Sequence, residues 1–252
     1  MVCQDDQLCA GLKAGINGAV HKVQDIWDEK PTMEDWGLFL VDANNVFNNI
    51  NRVGILWTVR HWWPSGARFV FNCYCHWSLL VLRNGNVTAS FMHSREGAIQ
   101  GDPLTMSKYG ICILPLMKNC KREIPDATQP WYADNSGALG RLARIETYFN
   151  SITRQGLGNR CYSEPSKSVL IVHPENLEAR KEFGSRHGFK VVMSARYLRG
   201  YIGDDRSKSN FLRERTLAWE NNIRTTSETA GEFPQESYAA VVCEIQRERI
   251  FM

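Results

Sequence analysis

A hairpin signal in the middle of the chain constrains the fold most. Asn84-Gly85 stands between two apolar runs, residues 79–83 and 87–91. Asn-Gly supplies the positive φ of a tight type I′ turn, so the two runs pair antiparallel. A second hairpin is expected over residues 197–203. Helical and strand signals otherwise alternate irregularly, which favours an α+β fold over a doubly wound parallel sheet.

The remaining elements follow from apolar spacing. Leu8, Leu12, Ile16 and Val20, continued by Val23 and Ile26, predict an amphipathic helix ending before Pro31. Residues 36–42 read as a short apolar strand ending in Asp42. A helix is expected over about 49–63, stopped at Pro64-Ser65-Gly66, and another over 67–77 with Ser65 as its cap. Asp102-Pro103 resembles an N-cap and first-turn pair opening a helix through about 117, which Pro115 should bend or end. Residues 131–137 read as a strand entering a tight turn. Leu139, Leu142, Ile145, Phe149 and Ile152 have helical spacing, closed by Gly156. Residues 169–172 and 189–193 read as strands around a polar helix over 175–187, which Gly188 ends. From about 205 two helices follow, broken near 231–234.

Composition excludes classes rather than selecting one. The 252 residues are 43% hydrophobic and 23% charged, ordinary for a globular protein. The longest apolar runs are too short to span a bilayer, and residues 1–6 carry no secretory leader pattern. No membrane association is expected, and the localisation is intracellular, cytoplasmic or nuclear. Eight cysteines include no Cys-x-x-Cys pair, which favours free thiols over zinc or disulfides. The net charge of +3 hides a split. Residues 141–225 hold 16 basic and 9 acidic side chains, the rest 14 and 18. A basic tract beside an acidic one suits a polyanion and a cation on one molecule, although an ordinary solvated helical face has the same composition.

Two aspartates carry the chemistry. Asp42 ends one apolar strand, and Asp134 lies in the turn after another, 92 residues on. Antiparallel neighbours in one sheet would set both carboxylates at one edge, where hard oxygens suit Mg²⁺. On spacing alone, a strand-end aspartate is more often a turn former or helix cap.

Five segments in order widen the comparison. They are Phe39-Leu-Val-Asp42-Ala-Asn-Asn-Val-Phe47-Asn48, Glu96-Gly-Ala-Ile-Gln100-Gly101-Asp102-Pro103-Leu104, Tyr132-Ala-Asp134-Asn135, Gly156 through Glu164-Pro-Ser-Lys167-Ser168, and Tyr197-Leu198-Arg199-Gly200. Over residues 36–203 the chain resembles the palm of reverse transcriptases. Trp62-Trp63-Pro64-Ser65-Gly66 and Tyr162 through Ser168 are similar to retrotransposon-derived members. The resemblance implies an RRM or ferredoxin-like antiparallel sheet backed by helices. It also implies partial fingers in 1–35, the palm with inserted fingers-like helices in 36–203, and a helical thumb stub in 204–252.

The resemblance implies RNA-directed DNA polymerisation, with an RNA template, a DNA or RNA primer and deoxynucleoside triphosphates as partners. Asp42 and Asp134, with Asn135 beside them, would hold two Mg²⁺ ions, or Mn²⁺. Ala43, Asn44, Asn45, Val46 and Phe47 would face the nucleotide, with Phe47 selecting against a 2′-hydroxyl. Gln100 and Gly101 would line the nucleotide and template. Lys167 would donate a proton to the leaving pyrophosphate. Tyr197, Leu198, Arg199 and Gly200 would touch the primer.

The chain departs from the pattern at four places. Asn135 replaces the second aspartate of the third motif, Val46 a small residue, Thr105-Met106 a Ser-Pro, and Arg199 a glycine. Only 41 residues precede Asp42 and 49 follow Gly203. An inactive retroelement relic, or a fragment that only binds nucleic acid, is therefore the alternative. A ribonucleotide-using polymerase relative is a third reading, which Phe47 opposes.

Overall fold

The computed structural model describes residues 15–30, 35–99, 102–133, 135–198 and 200–245, the side chain of Ala89 excepted. A five-stranded sheet forms the centre, in the order β4 (Trp131–Tyr132), β5 (Asn135–Arg141), β1 (Trp36–Val41), β6 (Val169–Ile171), β7 (Lys190–Val192). Every neighbouring pair is antiparallel except β6 with β7, which is parallel. This corrects the wholly antiparallel sheet expected from the sequence. The helix α7 (Leu177–His187) returns the chain across the sheet between β6 and β7, and such a crossover makes parallel neighbours.

β1 is central and covered on both faces, which explains its unbroken apolar sequence. Phe39 and Val41 face a core built with α5 (Thr105–Glu123) and α6 (Leu142–Asn159). Leu38 faces a second cluster with Val23 and Trp27 of α1 (Gly15–Glu29) and with Tyr197 and Ile202. Those last two belong to a hairpin of β8 (Ser194–Tyr197) and β9 (Gly200–Gly203). A Cβ on Gly200 would lie 2.6 Å from Val20, so the hairpin backbone presses directly on α1.

Between β1 and α5 run α2 (Val46–Asn49), α3 (Arg52–Trp62), α4 (Pro64–Tyr74) and the hairpin β2 (Ser78–Asn84) and β3 (Val87–Ser94). The Asn84-Gly85 signal is met, with Gly85 at φ 61°. Arg52 ties this excursion together. Its buried guanidinium donates to the carbonyls of Ser94 (2.9 Å), Glu96 (2.8 Å), Gly97 (3.2 Å) and His76 (3.4 Å). After β9 come α8 (Asp205–Thr229) and α9 (Pro234–Ala240), then a short π turn to Ile245.

Several expected boundaries move. α4 starts at Pro64, and no side-chain cap forms there, so Ser65 is not its cap. α5 runs through Pro115 to Glu123 because tertiary burial of its length outweighs the one hydrogen bond that proline removes. Leu139 belongs to β5 rather than to the following helix, and Gly156 lies inside α6, where the Cys161 carbonyl would leave only 2.3 Å to a Cβ. Residues 1–14 of the expected N-terminal helix lie outside the described residues. The six described cysteines are free. No described helix is long and apolar enough to cross a membrane.

Candidate functional site

Asp42 sits one residue past the end of β1, whose last pair with β5 is Val41 with Ser136. The next residue back on β5 is Asn135, which pairs with Tyr132 of β4. Only Ala133 and Asp134 separate those strands in the chain, and Ala133 adopts φ 50°, the left-handed conformation of a tight hairpin turn. The register therefore brings Asp42 and Asn135 to one edge of the sheet. Asp134 itself lies outside the described residues.

The backbone around Asp42 is held by a segment that follows α6. The Asn44 N–H donates to the Tyr162 carbonyl and the Glu164 N–H to the Asp42 carbonyl, both at 2.8 Å. Ser168, fully buried, accepts from the Asp42 N–H at 3.4 Å and donates its hydroxyl to the Glu164 carbonyl at 2.9 Å. Lys167 brings its Nζ to 4.0 Å from Asp42 Oδ2, and its side chain is 64% exposed. Asn44 donates to Glu164 Oε2 at 3.2 Å. Glu164 and Ser168 belong to the fourth ordered segment, and only the fold reveals their role in holding Asp42. Their signal is a serine and a carboxylate around a lysine just before a buried strand.

The segment after Asp42 makes a sharp turn. Asn45 adopts φ 46° ahead of α2, and Asn48 donates to Asn45 Oδ1 at 2.7 Å. Ala43 bridges Ser163, Asn44 and Asn45 are exposed, and Val46 is buried. Phe47 is half-buried with its ring 5.2 Å from that of Tyr109. The second motif closes on this turn. Ala98 N–H donates to the Phe47 carbonyl at 2.6 Å, and Gly97, at φ 76°, lies so close that a Cβ would be 2.5 Å from the Asn48 carbonyl. Gln100 and Gly101 lie outside the described residues.

Asp102 begins the approach to α5. Its Oδ1 accepts from the Leu104 N–H at 2.8 Å, its Oδ2 from the Tyr74 hydroxyl at 2.5 Å and from the Lys108 ammonium. Lys108 is 1% exposed and lies over the Tyr74 ring. Burial raises the Asp102 carboxyl, but the Lys108, Tyr74 and Leu104 hydrogen bonds outweigh it and hold the group at about 2. Asp102 is therefore not the N-cap of α5, a position held by Leu104 with no side-chain cap; its carboxylate instead closes the turn before the helix and anchors a buried ammonium.

The primer-contact candidates are less open. Tyr197 is buried in the second cluster, where burial pushes its phenol well up, and Leu198 packs against the same cluster. Gly200 is pressed on α1. Arg199 lies outside the described residues.

Among the described residues one carboxylate, that of Asp42, stands at this edge of the sheet. Among the described residues the Asp42 carboxylate meets only Lys167, and its side chain is 34% exposed. No three His, Cys, Asp or Glu side chains cluster among the described residues. The donors at hand, a carboxylate and the amide of Asn135 next to Asp134 in sequence, suit a hard cation that keeps much of its water.

The fold is reverse-transcriptase-like. Solved structures of telomerase share it: one from Candida albicans with a fragment of telomeric RNA (TM-score 0.58, 6% identity, 78% of this chain), and an apo form from Candida tropicalis (TM-score 0.58, 8% identity, 81% of this chain). A C. tropicalis form truncated from the C-terminal domain gives a TM-score of 0.55 at 9% identity over 77% of this chain. The chain spans 33%, 36% and 39% of those three chains. At such identity the likeness concerns the fold alone. No family model and no curated protein sequence matches the chain.

Proposed function

We propose that this chain carries the palm of an RNA-directed DNA polymerase of retroelement origin, acting on a primer annealed to RNA. The observation that supports this most is the β1–β5 register, which sets Asp42 beside the strand that leaves the Asp134 turn. The telomerase likeness and the five ordered motifs point the same way. Asp42 and Asp134, with the Asn135 amide, would hold two Mg²⁺ or Mn²⁺ ions. When bound, such ions supply the charge that activates a 3′-hydroxyl and stabilises a leaving pyrophosphate.

The chain's own residues do the rest. Ser168 and Glu164 fix the backbone of Asp42, so the carboxylate stands at the end of a rigid strand. Lys167 stands 4.0 Å from it with its ammonium in solvent, where it can give a proton to the departing phosphate. Phe47, wedged against Tyr109, forms a wall that excludes a 2′-hydroxyl.

The test is primer extension on an RNA template with Mg²⁺ or Mn²⁺. Product above that of Asp42→Ala is expected, and deoxynucleotides should be preferred over ribonucleotides. No product above that control removes the catalytic reading. Asn135 favours a second reading, an inactive relic that binds RNA: an amide keeps an oxygen but loses the charge that a divalent cation needs. Under that reading Asn135→Asp gains activity while the parent chain has none.

A further inference from the structure

The chain between the first and second motifs is unusual in charge. Residues 43–95 contain no Asp, Glu or Lys, but five arginines. Among the described residues, β2 and β3 pair only with each other and make no extended contact with any other element.

Both faces of this hairpin are apolar and exposed among the described residues. The register sets Val81 opposite Phe91 and Leu80 opposite Met92. Strand alternation then puts Leu79, Val81 and Phe91 on one face and Leu80, Leu82 and Met92 on the other. These six side chains are 45–64% exposed. A strand buried on two faces carries such a continuous run, whereas one in water does not. The edges are lightly guarded. Strand edges in monomers are blunted by charge, proline or bulges, and here the strands carry one charge, Arg83, and one irregularity of register, beside it.

The charges at the ends say what fits. Arg83 stands near the turn, and Arg95 lies just past β3 with its guanidinium 4.2 Å from the Trp77 ring centroid. Cations thus bracket a strand of seven residues. We propose that the β2–β3 hairpin is a docking edge for a separate polypeptide, which adds an extended apolar segment of that length flanked at both ends by acidic residues. Main-chain hydrogen bonds to the free edge would give affinity, and the flanking carboxylates direction and selectivity. A second copy fits less well, because a two-fold contact through this face sets arginine against arginine. Nucleic acid also fits less well, since five of these six side chains, all but Phe91, offer a base no ring to stack on.

The test uses the whole chain and the labelled peptide Glu-Glu-Val-Thr-Val-Ser-Val-Thr-Val-Glu-Glu, read by fluorescence anisotropy. Binding at least about tenfold tighter than that of the lysine-flanked peptide is expected. The double substitution Leu80→Glu with Leu82→Glu, at exposed positions, should weaken it about tenfold with an unchanged melting curve. Arg83→Glu with Arg95→Glu should abolish or invert the preference for acidic flanks while leaving the melting curve in place. Absence of binding, equal binding of both peptides, or indifference to both double substitutions overturns the proposal. Displacement of the peptide by single-stranded RNA, or a dimer in sedimentation velocity that the Leu80/Leu82 substitutions dissolve, overturns it in favour of those partners.

Discussion

Single residues hold the turn that carries the first motif. Arg52 satisfies carbonyls from two segments, at His76 and over residues 94–97, with one planar fork, which a lysine's point charge does not match. Arg52→Lys should therefore cost about 2–4 kcal/mol, because buried acceptors lose their donors. Urea denaturation measures this, and a loss below about 1 kcal/mol shows that the fork is dispensable. Gly97 is constrained twice, by its φ of 76° and by two carbonyls where a side chain would begin. Gly97→Ala should destabilise by about 2 kcal/mol or more and loosen the packing of Phe47. Amide exchange at Ala98 should then rise, and unchanged protection there contradicts this account.

At the scale of elements, the start of α5 depends on one ion pair. Asp102→Ala leaves the Lys108 ammonium buried without a partner and should cost about 3–5 kcal/mol. Asp102→Ala combined with Lys108→Met removes that orphaned charge and should recover much of the loss. A double variant no more stable than the single would show that the carboxylate acts only as a turn cap. The pH dependence has a definite sign. The Asp102 carboxyl lies near 2 in the fold against an ordinary value of 3.8. Its contribution, about 2 kcal/mol, is present above pH 4 and is lost as pH falls through 2. Between pH 4 and pH 2 the parent should therefore lose more stability than the double variant. Equal slopes would remove the role of this pair in acid unfolding.

At the scale of the molecule, two cores share one sheet. Ile113 lies in the first and Ile202 in the second, with β1 between them. Ile113→Val and Ile202→Val should each cost about 0.5–1.5 kcal/mol and add within about 0.5 kcal/mol, as separated sites do. Urea titrations of the single and double variants check this, and strong coupling would mean that the sheet does not insulate its faces.

Much of the local structure was legible. The Asn84-Gly85 hairpin, the strand ending at Asp42, the helix closed by Gly188 and the break before Pro234 all follow from residues within a few positions of each other. Turn chemistry and apolar period are local, so one sequence carries them. Pro115 and Leu139 misled for the same reason: a proline signals a break and a leucine at helical spacing signals a helix, until burial elsewhere decides otherwise. By itself the sequence determined the order of its motifs, the identity of Asp42, Asn135 and Lys167, and the kinds of element that carry them. Only the tertiary structure decided the parallel β6–β7 pair, the seating of Ser168 and Glu164 behind Asp42, the burial of Tyr197, and the exposure of both faces of the β2–β3 hairpin. Those outcomes turn on contacts between segments far apart in the chain, whose register is set by the summed burial of many side chains and by no single residue among them.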